Sequence, residues 1–534
     1  MTLRLRDTLT RAVVPVEPIE AGRLRMYSCG PTVYRYAHVG NLRTFLLADL
    51  IRRAVLYHGI EVVHIQNITD VGHLRADHHG HEVDPMLVAA GLEGRPSREI
   101  ADAYEAAFHA DAALMNILPA HEFPRATEHI PEMLALAERL EDLGHAYLSP
   151  AGNLYYEVAT FPGYGALSGN TLDELRGGHR GELEPDKRDH PDFALWKAAG
   201  EGRELRWDSR WGEGFPGWHL ECSAMALKHL GERFDIHTGG EDNVFPHHED
   251  EIAQSAPIVG GPPANVWIHG AHLLMSGRKM SKSAGNFQRI TELADEGIDP
   301  LAFRYLCLTA RYGRKLNFSD ESLAGAASGL ASLRAEVAAL GPAPADGPWS
   351  APAALRAGRS TDRPEGRMPG IAGHGAADGG GWRDGRSEPG AGEPALTDRA
   401  HDPAAPLSEE GRRLHDAFAD AIDDDLYMPA ALRIAREALR SGLPVDERRW
   451  LVLDMDLVLG LELDRAAEVA QRTTLARRDA ATLPDEVRRR LDDRSAARTQ
   501  RDFARADRLR EQLRELGVEP IDNADGTSDW RRLG

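Results

Sequence analysis

Residues 24–70 constrain the fold more than any other stretch of the chain. LRMYS (24–28) suits a short strand ending at Cys29. CGPTVYRYAHVGN (29–41) follows, broken by glycine and proline. LRTFLLADLIRRAVLY (42–57) then suits a helix, because Phe45, Ala48, Ile51 and Val55 fall on one face. Gly59 is a C-terminal stop for that helix, and EVVHIQNITD (61–70) reads as a second buried strand. Strand, loop, helix and strand make one βαβ unit, which requires a parallel sheet. Ligands bind such sheets beyond the carboxyl ends of the strands. Residues 29–41 are therefore predicted to line a binding crevice.

The rest of the chain divides by pattern. Residues 97–145 look helical, 146–240 mix short strands with loops, 241–310 return to α/β character, and the pattern from 316 is helical. A length of 534 residues implies three or four domains. Residues 341–407 are crowded with Gly, Pro, Ala, Arg and Asp and cannot bury enough apolar surface to offset ordering. They are predicted to be a disordered insertion that tolerates deletion. Helical patterning resumes at 408 and continues through a basic amphipathic stretch, 485–516, closed by Gly517.

Composition removes several function classes. No apolar run reaches the roughly 18 residues of a membrane helix, and the N-terminus has no apolar core of a secretory signal. A net charge of −21 argues against a surface coated in positive charge, though not against a local basic groove. The three cysteines, Cys29, Cys222 and Cys307, are too scattered for a disulfide framework, so a reducing cytoplasm is expected. Cys307, within FRYLCLTARYG, reads as core. Without a CxxC pair, any metal site must be assembled from distant parts of the chain.

Three constellations carry chemistry. AHVGN (37–41) sits at a strand-to-helix turn, where Gly40 lets a phosphate approach the backbone and the helix end favours anions. His38 could donate to a phosphoryl oxygen, or be structural. GRKMSKSAGN (277–286) places Lys279 and Lys282 three apart among small residues. Two ammonium groups suit a departing pyrophosphate, and a solvated basic loop is the alternative. In FPHHEDE (245–251), Pro246 opens a helix on which His247 and Glu251 share a face. With Cys29 and the Cys222 of GWHLECSAM they compose a sensible zinc shell, unless the cysteines are buried structural residues.

Across nearly its whole length the chain resembles the cysteinyl-tRNA synthetases, a class I aminoacyl-tRNA synthetase family. YSCGPTVYRYAHVGN, VVHIQNITDV, DFALWK, GWHLECSAMA, FDIHTGGEDNVFPHHEDEIAQS, WIHGAHLLMSGRKMSKSAGN, IDDDLYMPAAL and ARADRLREQLRELGVEPIDNADGTSDWRR stand in the family's order. The resemblance implies a Rossmann-like α/β catalytic domain with a connective insertion, then a helical bundle and a small anticodon-binding domain. The implied boundaries are 1–119 and 217–270 for the two halves of the catalytic core, 120–216 for the insertion, 271–315 for the KMSKS and stem-contact region, 316–475 for the bundle and 480–534 for the C-terminal domain. It implies Cys29, Cys222, His247 and Glu251 as ligands of one zinc ion, with Glu251 the weakest. His38, Gly40 and Asn41 stand at the ATP signature, Lys279 and Lys282 in KMSKS, and Thr32, Thr69, Trp218 and Asp242 match positions lining the cysteine pocket. The implied reaction joins L-cysteine and ATP, with Mg2+, into cysteinyl-adenylate and pyrophosphate, then charges tRNA(Cys). The zinc would read the substrate by its thiolate, which serine cannot imitate, so no editing domain is required. A monomer is expected.

The chain departs from the family in places. HVGN carries Asn41 where the wider class has a second histidine. After NITDV the usual DDK is replaced by GHLRADHHGH, whose His78, His79 and His81 suit a second metal or a solvated loop. The arginines at 488, 489, 490, 494, 498, 501, 505, 508 and 510 could face an anticodon loop or form a salt-bridged helix with the interleaved acids. Trp530 could stack on a base or pack, and Ser528–Asp529 lengthen the usual ending. Two rival functions remain: a ligase passing cysteine to an amino sugar, which would lack residues like 480–534, and an inactive tRNA-binding paralogue, which would lack the intact motifs.

Overall fold

The expected βαβ unit consists of β1 (Arg23–Ser28), α1 (Val39–Tyr57) and β2 (Glu61–Gln66). The computed structural model describes residues 2–71, 75–76, 82–83, 85–178, 186–200, 203–275, 278–279, 288–344, 347, 349, 406–466, 485–499, 502–516, 518–522 and 528–532. His78, His79, His81, Lys282 and most of 341–407 lie outside these residues. The first helix starts three residues earlier than its apolar pattern, because His38 supplies a cap. The second strand stops at Gln66, and of the following residues Ile68 keeps a bridge to Arg125 and Thr69 one to Thr32.

The run read as helical over 97–145 is two helices, α2 (Ser97–Leu114) and α3 (Ile130–Asp142), separated by a stretch holding Pro119 and Pro124. Then β3 (Ala146–Leu148), β4 (Leu154–Tyr156), β5 (Phe193–Ala198) and β6 (Gly214–Pro216) form an antiparallel sheet in the order β6-β5-β4-β3. The chain returns through α4 (Trp218–Leu230) to β7 (Phe234–Gly240), α5 (Glu249–Val259) and β8 (Ala264–Gly270).

The central sheet has the order β8-β7-β1-β2, with every pair parallel. Its neighbours reverse direction of progression at β1, so the crevice between the carboxyl ends of β1 and β7 is the switch point where ligands bind. Register places Ile236 beside Met26 and Met26 beside His64. Side chains alternate between two cores. Leu24, Met26, Ile236, Val266 and Ile268 face one, and Tyr27 and Trp267 the other.

Beyond the sheet lie β9 (Leu273–Met275), β10 (Arg278–Lys279), α6 (Ile290–Asp295), α7 (Pro300–Leu308) and β11 (Leu316–Phe318). A bundle follows: α8 (Asp320–Ala338), α9 (Glu409–Asp423), α10 (Met428–Arg440) and α11 (Val445–Leu459). Its apolar residues belong to the same core as α1. The one-faced pattern read on α1 is thus incomplete. Leu42, Leu46, Leu47, Leu50 and Ala54 are buried as well, because the sheet covers one side of the helix and the bundle the other.

Arg304 and Asp49 weld that junction. Both side chains are fully buried and lie 2.7 Å apart. The guanidinium also donates to the Leu459, Met115 and Asn116 carbonyls. Gly460 has φ of 64°, and a Cβ there would lie 2.4 Å from Arg304 Nη2, so only glycine closes α11 at this point.

The stretch read as one basic helix over 485–516 is a helical hairpin, α12 (Asp485–Thr499) and α13 (Phe503–Glu515). Asp502 caps the second helix by accepting from Arg505 N. Val487, Leu491 and Leu513 form its small core. The last elements, β12 (Val518–Asp522) and β13 (Ser528–Arg532), pair with Trp530 opposite Pro520. Arg490 pairs with Glu486 at 2.8 Å, Arg494 is buried, and Arg505 and Arg508 are exposed.

Candidate functional site

Residues 29–41 cross the switch point, and the structure brings most of the predicted site residues to its two ends. Gly30 is needed at the first end, since a Cβ would lie 1.6 Å from the Asn67 carbonyl oxygen. Val33 N donates to Thr69 O and Thr69 N to Pro31 O, both at 3.1 Å, which seats Thr32 beside the buried Thr69. Cys29 N donates to Thr238 O at 3.2 Å, tying the loop to β7.

At the second end His38 is the N-cap of α1. Its Nδ1 accepts from Asn41 N at 3.1 Å, and Asn41 Oδ1 accepts from His38 N at 3.2 Å. This reciprocal box uses the carbonyl of Asn41 and leaves the donor capacity of its amide group. It also sets the tautomer of His38. With Nδ1 accepting, the neutral ring carries its proton on Nε2. Burial, then the Arg35 charge, push the imidazole down to about 4, so it is neutral at physiological pH. Gly40 permits the fold-back of this ring, because a Cβ would lie 2.9 Å from Nδ1 and Cε1.

Behind Cys29 lies a buried donor cluster. Cys29, Cys222, His247 and Glu251 each offer an atom within 4.8 Å of all the others. Four elements deliver them: the end of β1, α4, the π-helical segment Val244–His248 and α5, so that Pro246 and His247 precede the α-helix rather than open it. The expected i, i+4 pair is present, with His247 Nε2 3.0 Å from Glu251 Oε1. Trp218 stacks on His247 with centroids 4.2 Å apart. Asp242 is exposed in the turn after β7, and its charge acts on both Cys29 and His38.

Four further histidines surround this cluster. His237 Nε2 lies 2.8 Å from Glu251 Oε2, and His248 Nε2 lies 3.0 Å from Cys29 Sγ. Cys29, His237, His248 and Glu251 form a second donor set that shares two members with the first. His248 is in turn held by His269 at 2.8 Å and His247 by His219 at 2.8 Å. His219 Nε2 faces Asp250 at 3.2 Å, and Tyr164 donates to Asp250. His219 and His248 adjoin Trp218 and His247 in sequence, so the recognised motifs held the signal. His237 and His269 sit on strands inside two further recognised motifs, FDIHTGG and WIHGAH, but no helical spacing or neighbouring site residue marks them there.

The first set fits a zinc ion. It holds both sulfurs, the donors with the greatest preference for that metal among those present. Burial raises the Cys29 thiol, and a hydrogen bond to Cys29 followed by burial raises Cys222 further. A divalent cation bound there would draw both protons off. With the metal on the first set, His237 and His248 would support Glu251 and Cys29, which they contact.

Of the KMSKS lysines, Lys279 sits on β10, paired with Leu274 of β9, while Lys282 is outside the described residues. Beyond this segment, Gln288 O accepts from Val39 N at 3.0 Å, at the start of α1. Cys307 is buried in the core as expected.

A family model described as tRNA synthetases class I (C) catalytic domain matches residues 15–328. Among curated proteins, the cysteine–tRNA ligase of Treponema denticola is 35% identical over 540 residues, covering 100% of both chains. That of Salinibacter ruber is 37% identical, covering 99% of this chain and 98% of its own. Cysteine–tRNA ligase 1 of Burkholderia lata is 38% identical, covering 98% of this chain and 96% of its own.

Proposed function

This chain belongs to the class I cysteine–tRNA ligase family, and from that premise we propose that it activates L-cysteine with ATP and transfers it to the 3′ end of tRNA(Cys). The observation that carries the reading is the pairing of opposites along one loop. A buried two-sulfur, imidazole and carboxylate cluster stands at Cys29, and a neutral proton-donating imidazole caps a helix at His38.

On the amino-acid side, Cys29, Cys222, His247 and Glu251 would hold zinc, which supplies a soft Lewis acid for the substrate's sulfur. Thr32, Thr69, Trp218 and Asp242 line the pocket around the rest of cysteine, with Asp242 placing a negative charge toward the ammonium group. On the nucleotide side, His38 Nε2–H and the N-terminal end of α1 face phosphate. Gly40 keeps that approach open. The amide of Asn41 adds a donor. Lys279 and Lys282 neutralise the pyrophosphate of the Mg2+-bound ATP as it departs.

The carboxylate of cysteine attacks the α-phosphorus, and the bond to the bridging oxygen of pyrophosphate breaks. The 3′-terminal ribose hydroxyl of the tRNA then attacks the activated carbonyl, and AMP leaves. Each donor aimed at charge that develops in these steps contributes about 3–4 kcal/mol. On the same reading 1–119 and 217–270 form the catalytic core, 120–216 the connective insertion, 271–315 the stem-contact region, 316–475 the bundle and 480–534 the anticodon reader. No described helix is long and apolar enough to cross a membrane, and a cytoplasmic monomer completes the proposal.

The test is cysteine-dependent ATP–pyrophosphate exchange and charging of tRNA(Cys) by the purified protein, with its zinc content measured alongside. We expect one zinc per chain and both activities. Absence of cysteine-dependent exchange would sink the reading. Exchange without charging would instead point to a ligase with another acceptor, such as an amino sugar.

A further inference from the structure

We propose that Arg289 is a positioning residue for the nucleotide half of the reaction: clamped between the Asp111 carboxylate and the Tyr36 ring, it fixes Gln288 and Arg289 against the N-terminus of α1. This rests on the reading of Lys279 and Lys282 given above, since Gln288 and Arg289 are the first described residues after that segment.

Asp111 is the unusual member. It lies on α2, is 1% exposed, and among the described residues neither carboxylate oxygen has a hydrogen-bond partner. A buried carboxylate without a partner is costly. Its nearby cation is Arg289, with Nη2 3.8 Å from Oδ1. Burial pushes the carboxyl up to about 6, the Arg289 charge opposes that, and Glu292 adds to it. Asp111 therefore gains its charge-stabilising contact from a residue 178 positions away, at the rim of the ATP side.

The other face of the guanidinium is occupied too. Its central carbon lies 3.5 Å from the centroid of the Tyr36 ring, within the 29–41 loop. Tyr36 packs edge-on against Tyr104 of α2 at 4.7 Å, and Tyr104 donates to Glu93 at 2.6 Å. Next to the clamp, Gln288 O takes the amide of Val39, the first residue of α1.

The guanidinium does not serve its own helix. Arg289 is the N-cap of α6, but the cap bond comes from Glu292, whose Oε2 accepts from Arg289 N at 2.8 Å. The side chain is therefore spent on tying three parts of the site together: α2, the 29–41 loop and the residues after the lysines. Lysine could keep the charge toward Asp111 but not the planar stack on Tyr36.

The experiment compares full-length wild type, Arg289→Ala, Arg289→Lys and the double variant Arg289→Ala/Asp111→Asn by ATP–pyrophosphate exchange. ATP is varied at saturating cysteine, then cysteine at saturating ATP. Arg289→Ala is expected to lower kcat/KM for ATP roughly 10- to 100-fold, with KM for cysteine, zinc content and thermal midpoint close to wild type. Arg289→Lys should fall between. The double variant removes the buried uncompensated carboxylate and should keep the ATP defect. An unchanged ATP dependence would overturn the proposal. So would an equal loss for ATP and cysteine with a lowered midpoint, which marks a merely structural role. A wild type that shows no cysteine-dependent exchange would overturn the reading of the whole site, and this proposal with it, whereas an active wild type beside an unaffected Arg289→Ala overturns this proposal alone.

Discussion

The two ends of the 29–41 loop meet water differently. Around Cys29 every donor of the cluster is buried, with Cys222 1%, His247 1% and Glu251 2% exposed. Around His38 the site is half open: His38 is half-buried, and Arg35 and Tyr36 just before it are exposed. The difference follows from the ligands each end would take. Telling a thiol from a hydroxyl requires a dry site where soft donors outcompete water for the metal. Holding a triphosphate requires directed donors at a mouth wide enough for a large polyanion. One loop would serve both because it runs from the sheet interior to the rim.

That contrast can be broken at either end. The largest effect is expected from Cys222→Ala or from stripping the metal with a chelator. Both should cost several kcal/mol, on the order of 1,000-fold or more in cysteine-dependent exchange, while ATP still binds. Metal analysis with calorimetric titration of ATP checks this, and a fully active metal-free enzyme would erase the distinction between the ends. Next, His38→Ala should lower kcat about 100- to 1,000-fold and leave zinc content intact, as steady-state exchange would show. His237→Gln removes a support of Glu251 and should weaken metal affinity about 10- to 100-fold, measurable by competition with a chromophoric chelator. Unaltered affinity would mean that His237 does not act through Glu251.

The smallest effect is on stability. His38 is held down to about 4 from 6.5. Between those values the unfolded chain binds a proton that the native chain does not. Stability should therefore fall as pH drops from 6.5 toward 4 and show no contribution from His38 above 6.5. Urea midpoints of wild type and His38→Gln across that range would reveal it, the variant showing the shallower decline.

Much of this was legible in the residues. The βαβ unit followed from local periodicity, and His247 and Glu251 followed from helical spacing. What escaped did so for identifiable reasons. The all-round burial of α1 depends on the bundle contributed by residues beyond 316, which a local window cannot see. The hairpin at 485–515 turns where Asp502 caps a new helix, yet the composition on both sides of that turn is uniformly basic and acidic, so periodicity did not break. His237 lies within FDIHTGG on a strand buried along its whole length, where a histidine reads like any interior residue.

Sequence alone determined the kinds of chemistry available: two thiols with an imidazole and a carboxylate, a histidine at a helix start, and paired lysines. Tertiary structure decided which of them meet. Cys29 stands next to β7 because parallel register sets Ile236 beside Met26, across some 200 residues of intervening chain. Parallel neighbours are joined by long crossovers, so their register is chosen by packing on both faces of the sheet. No local pattern records that choice, and it sets His237 of β7 beside Tyr27 of β1, next to Cys29.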